Sequence, residues 1–175
     1  IPINSTDYST MLRWLAFGPR NIVQSYKGYI SNGHRFQTEN VKRKTQNNGV
    51  TYEAFSMCRS SARDMNQVAD IVLYYGVIQE IILLDYHMFQ VPLFKCTWAN
   101  KQNGVKEEDG FTLVNLHVNQ LAYLQDPYIL PSQAKQVFYS RKEDSSPWYV
   151  VMRAPPRGYH ELETEAEYVT APSNI

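Results

Sequence analysis

The run DIVLYYGVIQEIILLDY, Asp70 to Tyr86, restricts the fold of this chain more than any other stretch. It is dense in Ile, Val, Leu and Tyr. Such side chains pack well on a pleated surface and lose rotamer freedom in a helix, so the run predicts a long strand. Ile71, Leu73, Tyr75, Val77, Ile81 and Leu83 fall at odd positions and form one apolar face. Tyr74, Gly76 and Glu80 give the other face a mixed character. Gly76 inside the run predicts a bulge or a bend, as at the corner of a barrel.

The flanking segments repeat the β pattern. GVTYEAFSM reads as a strand with Val50, Tyr52, Ala54 and Ser56 on one face and Thr51, Glu53 and Phe55 on the other. SYKGYISNGHRFQTE reads as a hairpin turned at Asn32-Gly33, because a type I′ turn needs positive φ at both central residues. Gln90 to Trp98 is a further strand, and Pro92 within it indicates an edge or a bulge. FTLVNLHV, AKQVFYS and WYVVMR follow as strands, whereas NVKRKTQNNG and CRSSARDMNQ read as loops.

One helix is expected, in STDYSTMLRWLAFGPR. Ser5, Thr6 and Asp7 are N-cap candidates, and Gly18-Pro19 ends it. Tyr8, Leu12 and Leu15, widened by Met11 and Trp14, form an apolar stripe expected to dock on the rest of the domain. Alternation of strand and helix is missing, which disfavours a doubly wound architecture. The expected fold is mainly β: a small curved sheet or barrel with an N-terminal helix and a β-hairpin extension. Residues 1–70 form the extension, 71–153 the barrel core, and 154–175 an acidic tail that packs as an arm.

Composition narrows the function. With 43% hydrophobic and 13% aromatic residues, the chain is globular rather than disordered. Seventeen basic and seventeen acidic residues cancel, so any nucleic-acid or membrane-surface binding must come from a local patch. Cys58 and Cys96 are the only cysteines; they offer no disulfide framework and fit a reducing compartment. No apolar run approaches the roughly 18 residues of a membrane helix, and no signal peptide is expected. Starting at Ile1, the sequence fits a piece cut from a longer protein.

Catalytic and metal signatures are missing from the sequence. His34, His87, His117 and His160 are scattered without ligand spacing, so no metal or cofactor is expected. Glycine-rich phosphate loops and a G-x-S-x-G elbow do not occur. KEEDG and ELETE hold paired carboxylates in solvated, turn-like contexts. Cys96 on a strand reads as a small buried hydrophobe. The chain is therefore expected not to be an enzyme. Aromatics are the more informative group: at strand ends they cage quaternary ammonium groups or stack bases, although most serve the core.

Five stretches, LAFGPRNIVQSYKGYISNGHRFQTE, KRKTQNNGV, YYGVIQEIILLDY, VPLFKCTWANKQNGVKEEDGFTLVNL and DPYILPSQAKQVFYS, carry a resemblance covering about Leu12 to Val151. They resemble the domain of unknown function (DUF4216-like) associated with plant CACTA-type (En/Spm-like) transposases. The resemblance implies a nuclear localisation and a mobile-element origin, with the DNA-cutting domain elsewhere in the polypeptide.

More loosely, Leu73 to Val151 looks like a bromo-adjacent homology (BAH) domain, a chromatin module with an SH3-like core. YYGVIQEI, Tyr74 to Ile81, stands where that family has its Y-x-x-x-I-x-x-I strand. FKCTWANKQNG stands at its aromatic corner, and AKQVFYS, RKEDSSP and WYVVM at its closing strand, polar loop and last strand. In readers of methylated lysine the cage comes from the first tyrosine and the corner, which carries over to Tyr74 and Trp98. The third cage position falls near Asn100, and the acidic pair of the corner is absent. Tyr86, Tyr123 and Tyr128 are the candidates to complete a cage from loops. The resemblance thus implies a non-enzymatic module that docks a histone tail or another peptide, with methylated lysine as one ligand. The alternatives are a DNA-binding accessory module using Lys42, Arg43, Lys44, Lys135, Arg141 and Lys142, and a structural or self-associating domain.

Overall fold

The computed structural model describes residues 5–41, 46–58, 68–118, 127–141, 143–153 and 168–170. Helix α1 spans Ser5–Phe17. The strands are β1 (Gln24–Tyr26), β2 (Gly28–Ser31), β3 (His34–Gln37), β4 (Gly49–Cys58), β5 (Val68–Asp85) and β6 (Gln90–Trp98). They continue with β7 (Val105–Glu108), β8 (Phe111–Val114), β9 (Tyr128–Ile129), β10 (Ala134–Arg141), β11 (Tyr149–Arg153) and β12 (Tyr168–Thr170). Eight strands pair in the order β7-β8-β11-β10-β4-β5-β6-β9, and β1 adds a ninth by pairing with β5. This antiparallel sheet curls into a half-barrel. A second sheet has the order β12-β2-β3, with β12 parallel to β2. The chain is mainly β, as its sequence predicts.

Strand β5, at 18 residues, organises the rest. β4 covers Val68–Val77 on one edge, and β6 covers Gly76–Asp85 on the other. The expected division at residue 70 falls inside β5, and β4 lies within the sheet between β5 and β10.

The odd positions of β5 do not share one face. Ile78 pairs with Cys96 and Glu80 pairs with Lys95, which leaves Gln79 as the extra residue of a β-bulge. A bulge shifts the side-chain alternation by one. Leu73, Tyr75 and Val77 therefore face one core, with Val114, Val137 and Tyr139. Ile78 and Ile81 face the other, with Tyr29, Phe36, Val50, Phe94 and Trp98. The register runs unbroken through Gly76, so the bulge lies three residues beyond the expected place.

Gly76 answers a different requirement. A Cβ there would stand 2.7 Å from the Thr97 carbonyl and 2.7 Å from Cε3 of Trp98. The indole lies directly over the glycine of its partner strand, which is how Trp98 comes to be 2% exposed.

The hairpin forms as its turn chemistry requires: Asn32 and Gly33 have φ of 50° and 74°. Its cross-strand partners Tyr29 and Phe36 pack against Phe94 with ring centroids 5.7 and 5.0 Å away. Pro92 lies on a stretch of β6 that β9 does not reach, because β9 pairs only at Phe94 and Lys95. The edge alternative for this proline is the one realised. The strand expected over FTLVNLHV stops at Val114, where the Asn115 carboxamide accepts a hydrogen bond from the His117 N–H. Val105–Glu108, read from sequence as part of a solvated turn, is β7, joined to β8 through Asp109-Gly110, both at positive φ.

The helix departs from expectation. Gly18 caps it, its N–H bonding the Trp14 carbonyl at 3.1 Å. However, Met11, Leu12 and Leu15 remain exposed, so most of the stripe does not dock. Trp14 makes a ring contact, 4.9 Å from the His87 ring in the β5–β6 turn.

Candidate functional site

The described candidate aromatics occupy three separate places. Tyr74 and Trp98 do come together, through a residue not singled out from the sequence. Tyr52, the cross-strand partner of Tyr74, stacks on it at 6.2 Å and lies 6.3 Å from the Trp98 ring. Trp98 nonetheless cannot be a cage wall, because its ring is sealed against Gly76 and excluded from solvent. Asn100 serves the backbone instead. Its Oδ1 accepts from the N–H groups of Gln102 and Asn103, shaping the turn after β6. Tyr86 sits in the β5–β6 turn, stacked on Phe89 at 5.1 Å. Twelve residues of strand separate it from Tyr74, on the order of 40 Å. Tyr128 is partly exposed on β9, opposite Lys95. Tyr123 lies outside the described residues. The cage expected from these positions does not assemble among the described residues, because the rise of a strand separates residues that stand close together in the sequence.

The basic set is likewise dispersed. Lys42, Arg43, Lys44 and Lys142 lie outside the described residues. Lys135 is ion-paired with Glu53 across the β4–β10 register. Arg141 donates from Nη1 to the Asp144 carbonyl at 3.0 Å and lies over the Tyr149 ring. Six residues of one strand, about 20 Å, separate Lys135 from Arg141.

A different feature stands out around Tyr52 and Tyr74. β10 pairs with β4 only from Gly49 to Tyr52, and β6 pairs with β5 only from Gly76 onward. From Glu53 to Cys58 and from Val68 to Leu73 the two strands pair with each other and with no other described strand. They form a two-stranded ribbon whose two edges carry no further strand among the described residues. On one of its faces Phe55 is 84% exposed and its cross-strand partner Ile71 is 56% exposed. An open edge offers unpaired backbone donors and acceptors, and native proteins usually blunt such edges with charge or cover. Here a large apolar pair lies between the edges instead. Phe55 shares the face of Thr51 and Glu53, whose partners Tyr75 and Leu73 meet the core, but it lies beyond the point where that core ends.

Cys96 is buried and its thiol is pushed far above its ordinary range by desolvation. Burial likewise raises the Tyr139 hydroxyl, which donates to the Gly76 carbonyl. Among the described residues, no group of three His, Cys, Asp or Glu stands close enough together to hold a metal ion. Among them, too, no helix is long and apolar enough to cross a membrane.

The half-barrel and its ribbon define a β-rich scaffold with a strand edge that no described strand covers. The sequence model of a family described as a domain of unknown function (DUF4216) matches residues 82–151, from the end of β5 into β11. No curated protein and no solved structure matches the chain significantly.

Proposed function

We propose that the chain is a non-enzymatic interaction module that docks an extended peptide along the open edge of β5. The single observation that carries this reading is the ribbon. Beyond Gly76 the outer edge of β5 is occupied by β6, and the chain leaves that edge at Ala99, whose N–H bonds the Tyr75 carbonyl. The collinear slot beside Val68–Tyr74 holds no described strand. A peptide entering it would extend the sheet where β6 stops. Main-chain hydrogen bonds supply affinity in such strand addition, and alternate side chains supply specificity. On one face those side chains would meet Tyr74, backed by Tyr52; on the other they would meet Ile71 and Phe55.

The resemblance to transposase-associated domains supports a transposon-derived protein in a nuclear setting, and with it a histone tail as the peptide. The loose BAH resemblance points the same way. Accessory DNA binding is the other reading, and salt separates the two, because phosphate contacts release counterions. A histone-peptide array and a short DNA duplex, titrated at two salt concentrations, test both. Saturable, salt-tolerant peptide binding, with slowed amide exchange over Val68–Tyr74, is the expected result. Binding to DNA alone, lost as salt rises, would replace the peptide reading. Concentration-dependent mass without either ligand would point to self-association through the same edge.

A further inference from the structure

We infer that a separate cleft, between the β2–β3 hairpin and the first half of β10, binds the carboxylate of an acidic residue on a partner peptide. β11 ends at Arg153 opposite Val137. Along Ala134–Gln136, therefore, that edge of β10 carries no described strand. The hairpin stands across the gap, and the Gln136 Nε2 donates to the Arg35 carbonyl. Between them lies a cavity of about 350 Å³, lined by Ser31, His34, Thr51, Ser132, Lys135 and Arg153 among others. That is the size of a small-ligand pocket. None of its lining residues is Asp or Glu.

Charge selects the ligand. Lys135 is already paired with Glu53, which does not line the cavity. The pair is neutral as a unit, and Arg153 has no carboxylate partner among the described residues. One net positive charge matches a monoanion. A guanidinium presents parallel N–H donors suited to two carboxylate oxygens. A phosphate bearing close to two charges would leave one of them uncompensated beside Glu53.

The cleft is distinct from the peptide edge. β4 lies between β10 and β5, so the two sites stand about 10 Å apart or more. The test uses the whole chain, isotope-labelled, titrated with a capped tetraglutamate peptide, with inorganic phosphate and with a DNA duplex. The expected result is saturable shifts at Ser31, His34, Ser132 and Lys135 with the glutamate peptide. Arg153→Gln, at an exposed position, weakens binding about tenfold or more. Glu53→Gln frees Lys135 and tightens it, an effect no purely structural role would give. Phosphate binding more tightly than the glutamate peptide overturns the carboxylate assignment, and shifts produced only by DNA overturn the peptide partner. No shift at the cleft, or no tightening in Glu53→Gln, overturns the site.

Discussion

The Tyr139 hydroxyl on β10 reaches across β4 and donates to the Gly76 carbonyl on β5 at 2.8 Å. On the way it lies 3.3 Å from the Val50 carbonyl. One side chain thereby clamps three strands in the middle of the sheet. Tyr139→Phe keeps the ring and removes the clamp, leaving buried acceptors without this donor. The expected cost is about 1–3 kcal/mol of unfolding free energy, read from urea titration. An unchanged midpoint would mean that water replaces the hydroxyl.

Gly76 is fixed by the ring that covers it. Gly76→Ala places a methyl against the Thr97 carbonyl, which is backbone and cannot swing aside. Overpacking of this kind costs about 1–3 kcal/mol. Trp98→Ala removes the ring and costs about 3–5 kcal/mol. The double variant should lose less than the sum of the singles, because removing the indole relieves the ring's share of the clash while the Thr97 carbonyl keeps the rest. Additive losses would show that the glycine is there for another reason.

Three buried acids set an alkaline limit. Burial raises Tyr29 and Tyr139 above the ordinary tyrosine value of 10.0 and Cys96 above the ordinary thiol value of 9.0. The native state holds these protons more tightly than the unfolded chain does. Their contribution is complete below the unfolded values and is lost as pH rises above them. Stability measured in urea should therefore fall progressively above about pH 9. The Cys96 thiol should react with a disulfide reagent only at the rate of global opening. Fast labelling of native protein at Cys96 would contradict its burial.

Phe55 and Ile71 separate folding from binding. Both are exposed, so Phe55→Lys and Ile71→Lys should change stability by no more than about 0.5 kcal/mol. Charge beside an open strand edge opposes strand addition. Peptide affinity, measured by titration calorimetry, should drop about tenfold or more in each variant. Full affinity in Ile71→Lys would move the docking site away from the ribbon.

The elements legible in the sequence were those whose signal is local. Asn32-Gly33 specifies its turn through the φ values it tolerates, and Gly18 ends its helix for the same reason. Asp109-Gly110 carried an equally local hairpin signal, yet the charges of KEEDG favour a solvated turn when read by themselves. The bulge at Gln79 has no such marker, since nothing in VIQEII distinguishes the residue that will lose its partner. Its position is set by how β6 must register against β5. The aromatic site failed for a related reason. Side chains such as Tyr74 and Tyr86 look clustered in the sequence, but an extended strand spaces them far apart. Tyr52, distant in the sequence, becomes the neighbour that matters through strand pairing. The exposure of Leu12 and Leu15 was not legible either, because a stripe states what a helix can bury and not what it meets.

The bulge at Gln79 also bears on how the molecule comes apart. Because the alternation shifts there, Ile78 before the bulge and Ile81 after it face one core, while Leu73, Tyr75 and Val77 face the other. Neither core can lose its wall without pulling the backbone of the other out of register. The half-barrel and the hairpin-covered core should therefore melt as one cooperative unit, with amide exchange from Tyr75 to Ile81 governed by global unfolding. Single-residue deletions in that window would do more than remove a contact: they would turn half of the central strand inside out.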